Sequence, residues 1–175
     1  MMIPNKVQTV LDAWGLSALE FQPGSTPTVE SAAAMIGVEP GQIAKSMLLK
    51  GKDGRFFLLV AAGDRKVSSS KLKQITGVKC SMAKGEETLQ VSGFAPGGVC
   101  PFGLVAAAEN PSEADPVEPS GTPSTGLTAI FLDESLKAWD LVYPAAGNDA
   151  SGVPVTPELL GKIAGGTWVD GTNPR

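Results

Sequence analysis

Residues 44–63 read AKSMLLKGKDGRFFLLVAAG, and this stretch limits the fold more than any other. Asp53-Gly54 between two apolar runs is a strong tight-turn signal, so the segment is expected to form a β-hairpin. Its second arm, FFLLVAA (56–62), carries no polar residue on either alternating face. Such a strand must be covered on both sides, which places it in the middle of a layered domain. Lys45 stands at the entry to the first arm, held there by the hairpin. A lysine at the mouth of a rigid strand can hold a phosphate or polarise a carbonyl. It can equally protect a strand edge.

Around this hairpin the chain alternates short helices and short strands. A helix is expected over residues 5–15, with Val7, Val10, Leu11 and Trp14 on one face. ALEFQP (18–23) reads as a short strand. Thr28 is an N-cap candidate for VESAAAMIG, with Gly37 as its stop. Pro40 opens a helical turn, and a serine caps the helix in VSSSKLKQITG. GVKCSMA is a strand, and GEETLQVSG is a helix with acids in its first turn. GLVAAA, LTAIFLD and AWDLVYPAA read as further strands, with ESLK between the last two. VPVTPELLGKIAGG gives a strand and a helix starting at Thr156 or Pro157, and TWVD a last strand. No βαβ repeat or internal repeat is present. The expectation is an α+β domain with a mixed or antiparallel curved sheet.

The chain has 175 residues, enough for one domain with a proper core, and 109–126 (ENPSEADPVEPSGTPSTG) reads as a surface excursion within it. No apolar run reaches the ~20 residues of a membrane helix, and the N-terminus lacks signal-peptide character; a cytoplasmic protein is expected. The chain contains no histidine and two cysteines, Cys80 and Cys100. No Ser-His-Asp or Cys-His pair can form within it, nor a histidine-bearing metal site, and two thiolates alone cannot complete a zinc site. Neither a metal nor a cofactor is expected. Net charge is −4, yet ten of the basic residues crowd into 45–84, where only Asp53 and Asp64 oppose them. That run is either a solvated face or a surface for a partner that is anionic in one place.

The loop GFAPGGVCPFGL (93–104) holds four glycines, two prolines and Cys100. A thiolate nucleophile needs a base or a positive field. Histidine is absent, and the arginine of a Cys-x5-Arg loop is Ala106 after Cys100 and Glu86 after Cys80. A small buried cysteine is the commoner case. The glycines permit close backbone approach, and consecutive N–H groups can cradle an anion or a carbonyl oxygen. An ordinary tight turn is the alternative. YPAAGNDASG (143–152) repeats this logic, and Asn148 and Asp149 there could read a base edge or ribose, or form the turn.

Taken in order, VESAAAMIGVEPGQIAKSMLLK, AAGDRKVSSSKLKQITG, GFAPGGVCPFGL and IFLDESLKAWDLVYPAAGNDASG resemble the YbaK/ProX family. These are aminoacyl-tRNA deacylases related to the editing domain of bacterial prolyl-tRNA synthetases. The resemblance covers roughly residues 18–169. It implies a single compact α+β domain around a mixed, barrel-like sheet. It also implies hydrolysis of the ester joining a wrong amino acid to the terminal adenosine of tRNA. Lys45, Gly97, Gly98, Pro101 and Gly103 match the family's catalytic positions. Phe21, Val99, Cys100, Ala145, Ala146, Gly147, Asn148 and Asp149 fall where substrate is bound, Cys100 as a pocket-wall residue. Lys50, Lys52, Arg65, Lys66, Lys71 and Lys73 would meet acceptor-stem phosphates. The implied partners are mischarged tRNA and prolyl-tRNA synthetase. A small amino acid on tRNA(Pro), alanine or 2-aminobutyrate ahead of cysteine, is the expected substrate. A non-catalytic tRNA- or nucleotide-binding module of the same fold is the alternative. Two positions depart from relatives: the later loop lacks the histidine some carry, and Phe21 stands near the tyrosine of the Cys-tRNA-specific branch.

Overall fold

A computed structural model describes residues 3–104 and 127–174. The excursion at 109–126, and the strand expected in GLVAAA beyond Leu104, lie outside the described residues. Chain order is α1 (Asn5–Ala13), β1 (Leu19–Glu20), α2 (Val29–Ile36), a 3-10 turn (Pro40–Gln42), β2 (Ile43–Gly51), β3 (Phe56–Ala62), β4 (Arg65–Val67), α3 (Ser69–Thr76), β5 (Cys80–Met82) and α4 (Gly85–Ser92). There follow β6 (Leu127–Asp133), a second 3-10 turn (Glu134–Ala138), β7 (Tyr143–Pro144), β8 (Ser151–Gly152), α5 (Pro157–Ala164), β9 (Thr167–Val169) and β10 (Thr172–Pro174).

The local signals act as their chemistry requires. Thr28, Ser68 and Thr156 each accept an amide of the following helix's first turn, from Ser31, Lys71 and Leu159 respectively. α2 stops at Gly37, whose φ of +86° is open to glycine and strained for other residues. At the end of α1, Trp14 is a C-cap and 45% exposed, so it does not share the buried face of Val7 and Leu11.

The main sheet runs β5-β2-β3-β6-β9. β2 pairs antiparallel with β3 from Ala44↔Ala62 to Lys50↔Phe56, while β3–β6 and β6–β9 are parallel. β3 is therefore central and covered on both faces. Ala44 and Leu48 of β2 share one face with Leu58, Val60 and Ala62 of β3, against α1, α5 and the 94–104 loop. The opposite face carries Met47, Leu49, Phe57, Leu59 and Ala61, with Leu72 of α3 and Phe131, whose ring stacks on Phe57 at 5.9 Å. Among the described residues the sheet does not close, so the barrel-like expectation is not confirmed: β5 and β7 both lie along the outer edge of β2, and β9 forms the opposite edge. The strand expected in AWDLVYPAA shrinks to Tyr143–Pro144, preceded by a single Val142–Val155 bridge. Pro144 has no N–H for a ladder, and Gly147 at φ +91° turns the chain away.

Asp133, at the end of β6, ties the C-terminus to the sheet. Its buried carboxylate accepts the Gly171 amide (2.8 Å), the Thr172 hydroxyl (2.8 Å) and the Ser135 amide (3.1 Å). Among the described residues no helix is long and apolar enough to cross a membrane.

Candidate active site

One edge of β2 is shared by two short strands. β7 pairs in parallel with its start, at Ile43 and Ala44, and β5 pairs with its end, from Leu49 to Gly51. Between them Lys45–Met47 have no strand partner on that edge among the described residues. A cavity of about 310 Å3 opens there. β2 contributes Ala44, Lys45 and Ser46 to its wall, and α2 contributes Val29, Glu30 and Ala32. Gly97 and Val99 come from the glycine loop, and Tyr143, Ala145 and Ser151 from the later loop. The Lys45 side chain is exposed and makes no hydrogen bond or ion pair with the described residues.

The glycine loop is shaped by contacts that exclude side chains. A Cβ on Gly98 would lie 2.7 Å from the Cα and 2.9 Å from the amide nitrogen of Asn148, so only glycine lets the two loops touch. The Gly98 amide donates to the Ala95 carbonyl (3.0 Å) and is spent within the turn. The amides of Gly97, at φ +91°, and of Val99 have no acceptor among the described residues. Two backbone donors thus remain at positions that line the cavity. Pro101 is buried, and Gly103 (φ +81°) packs against Lys6 of α1; neither lines the cavity.

Cys100 does not line it either. The side chain is fully buried in the main core, and its Sγ donates to the Phe102 carbonyl at 3.8 Å. Burial pushes the thiol up to about 12, so it is neutral at physiological pH and useless as a nucleophile. The expectation that Cys100 forms part of the pocket wall is therefore corrected. Proline on one side and apolar neighbours around it turn this residue inward.

In the later loop only Ala145, of the expected substrate contacts, reaches the cavity. Ala146 is fully buried, and Gly147 is pressed by Pro4 and Phe94. The Asn148 Oδ1 accepts from the Ala150 amide (2.9 Å) and the Ser151 hydroxyl (2.8 Å). The Asp149 carboxylate accepts from the Gly24 amide at 3.1 Å, and its backbone oxygen from the Thr26 amide at 2.6 Å. Both act as loop formers that tie the 24–26 turn to this loop. Phe21 contributes its amide, donated to the Ala150 carbonyl (2.8 Å), and lies outside the cavity lining.

Against this geometry the chain was compared with known proteins. Residues 24–163 match the aminoacyl-tRNA editing domain. The chain belongs to that family. It is 37% identical over 152 residues to the uncharacterized protein YwhH of Bacillus subtilis (strain 168), covering 86% of this chain and 83% of YwhH. It is 38% identical over 86 residues to a proline–tRNA ligase of Bacillus licheniformis, a match spanning 49% of this chain and only 15% of the ligase. A crystal structure of a candidate trans-editing enzyme for prolyl tRNA synthetase superposes with a TM-score of 0.74. That match has 28% identity and covers 96% of this chain and 95% of the other.

The editing domain's basic stretch divides in two. Lys50 pairs with Glu87 at 2.6 Å, Arg65 donates to the hydroxyl and carbonyl of Thr172, and Lys71 bonds Asp170 (3.0 Å) and the Thr172 carbonyl (2.8 Å). These three brace the fold. Lys52, Lys66 and Lys73 are exposed, and their side chains bind no described residue. Sequence reading passed over Glu30, Ser46, Tyr143, Thr26 and Ser151 as cavity residues. The small-residue face of α2 was the available signal for a close approach. Ser46 is notable because its Oγ is buried without a partner among the described residues, a state that costs about 1–3 kcal/mol.

Proposed function

We propose that this protein is a trans-editing aminoacyl-tRNA deacylase. It hydrolyses the ester of a small mischarged amino acid (alanine, 2-aminobutyrate or cysteine) on tRNA(Pro) in the cytoplasm, and prolyl-tRNA synthetase is its partner. The observation that carries the reading is one cavity lined by an unpaired lysine, Lys45, and by two uncommitted amides, Gly97 and Val99. Its size supports a small acyl group, since about 310 Å3 sits at the low end of the ~300–1,000 Å3 typical of ligand pockets.

An aminoacyl ester is already activated, so a strong protein base is not required. Water attacks the carbonyl carbon, and the Gly97 and Val99 amides receive the developing oxyanion. Each such donor is worth about 2.7–4 kcal/mol where water is excluded. Lys45 holds the substrate from the strand edge. The ester bond then breaks toward the 3′-oxygen of the ribose, and the vicinal 2′-hydroxyl relays the proton that a histidine would otherwise handle. Gly98 acts by letting the loops approach, and Pro101 and Gly103 by fixing the loop from behind. Lys52, Lys66 and Lys73 attract the acceptor-stem phosphates.

The test is deacylation of tRNA(Pro) charged with Ala, 2-aminobutyrate, Cys, Ser or Pro. Wild type and Cys100→Ala should cleave the small non-cognate esters, and Lys45→Ala should not. Binding of tRNA without hydrolysis of any ester would leave only a binding module.

A further inference from the structure

The β2–β3 ladder fixes which way each peptide group of β2 points. In an antiparallel pair alternate residues turn their N–H and C=O toward the partner strand, and the others turn them away. The Gly51 amide donates to the Arg55 carbonyl (2.7 Å), so the odd-numbered residues of β2 face β3. On the outer side the Leu48 carbonyl accepts the Ala83 amide (3.0 Å), so the even-numbered residues face the edge that β5 and β7 share. β7 covers that edge as far as Ala44, and Ala83 covers it again at Leu48. Between them Ser46 alone turns its main chain outward. Neither its N–H nor its C=O has a partner among the described residues. Ser46 lines the cavity and is half-buried, although its Oγ is fully buried. The polar surface it offers there is therefore main chain.

We propose that the aminoacyl group docks as a one-residue strand in this gap: its ester carbonyl accepts the Ser46 N–H, and its α-ammonium donates to the Ser46 C=O. The proposal rests on the deacylase reading and names how the acyl group is held. An aminoacyl group carries a donor and an acceptor on either side of one carbon, the spacing at which a strand residue engages the residue opposite it. A longer peptide strand does not fit, because Pro144 and Ala83 occupy the edge on either side. Main-chain pairing of this kind gives affinity without reading the side chain, so the cavity and not the gap sets which acyl group is accepted. The Gly97 and Val99 amides add to the same carbonyl oxygen as charge develops on it. Ser46 is a binding residue in this scheme and takes no part in bond breaking.

The experiment replaces single backbone amides of the full chain by esters, with side chains kept. Ser46→glyceric acid removes the Ser46 N–H. Replacing Met47 by its α-hydroxy counterpart removes an N–H that faces β3 and turns the Ser46 carbonyl into a weaker, ester acceptor. Each protein is melted, and kcat/KM is measured on Ala-tRNA(Pro) and on lactyl-tRNA(Pro), whose ester lacks the ammonium. Dividing variant by wild type for each substrate cancels the difference in their intrinsic reactivity. The Ser46 variant should lose about ten-fold on both esters, the scale of one hydrogen bond, with a smaller drop in Tm than the Met47 variant. The Met47 variant should lose more on the alanyl ester than on the lactyl ester. An unchanged rate in the Ser46 variant, or equal losses on both esters in the Met47 variant, overturns the proposal. So does a Tm loss in the Ser46 variant as large as that of the Met47 variant, which would place the Ser46 N–H in the protein's own ladder. If wild type cleaves neither ester, the deacylase reading fails and this inference falls with it.

Discussion

Gly98→Ala tests whether catalysis depends on contact between the two loops. The new Cβ would stand 2.7 Å from the Asn148 Cα, with the Asn148 amide nitrogen at 2.9 Å and the Gly147 carbonyl carbon at 3.0 Å. All three are backbone atoms and cannot swing aside. Ordinary contact begins near 3.4 Å, so the loops must separate by about 0.7 Å. Overpacking of this kind costs about 1–3 kcal/mol, and ~2 kcal/mol lowers Tm by ~4–8 °C in a domain of this size. The effect on rate is expected to be larger. Gly98 sits between Gly97 and Val99, and a displacement near 1 Å at a reacting centre can cost ~10²-fold. Gly54→Ala is the control. Its φ of +93° also penalises a side chain, by about 1–2 kcal/mol, but nothing lies within 4 Å and the hairpin tip is not part of the cavity. Thermal melts and single-turnover deacylation of Ala-tRNA(Pro) should show similar stability losses for the two variants and a rate loss in Gly98→Ala alone. Equal rates in both would refute the argument that the loop contact sets the oxyanion donors.

Lys45→Ala should abolish most activity with Tm unchanged, since the side chain is exposed and unpaired among the described residues; Lys45→Arg should restore part of it. Changing Lys52, Lys66 and Lys73 together to Ala should weaken tRNA binding and flatten the plot of log affinity against log salt by about 2–3 units. Arg65→Ala and Lys71→Ala should instead lower Tm, because both hold Thr172. Cys100 gives a pH signature. Its folded pKa is raised from 9.0 to about 12, so the unfolded chain releases this proton first and stability falls as pH rises between those values. The slope is about 1.4 kcal/mol per pH unit for one group. Alkaline melts of Cys100→Ala should lack that component, and identical slopes in both proteins would refute it.

What was legible in the sequence was local. Asp53-Gly54, the caps Thr28, Ser68 and Thr156, and the stop at Gly37 act within a few residues of themselves, and each sits where its chemistry placed it. The parallel pairings of β3 with β6 and β6 with β9 left no comparable mark, because the partners are far apart in the chain. β4 and β10 escaped notice for the same reason: three residues each, joined across the whole chain. The resemblance to deacylases led to Lys45 and the glycine loop, and the cavity contains Lys45, Gly97, Val99 and Ala145 from that set. It could not say which neighbours face inward.

The misplaced residues share one physical cause. A side chain's role depends on what lies beside it, and sequence shows only its type. Cys100 and Val99 are adjacent in a glycine-rich turn, yet one fills the core and the other meets the cavity. Lys50 and Lys52 belong to one basic run, yet Glu87, 37 residues away from Lys50, neutralises the first alone. Lys45 belongs to a cavity only because α2 lies beside β2, whose edge is unpaired from Lys45 to Met47 among the described residues. The gap between two short strands on one edge of β2 is therefore the structural fact that brings an ordinary lysine and a tight turn to one cavity.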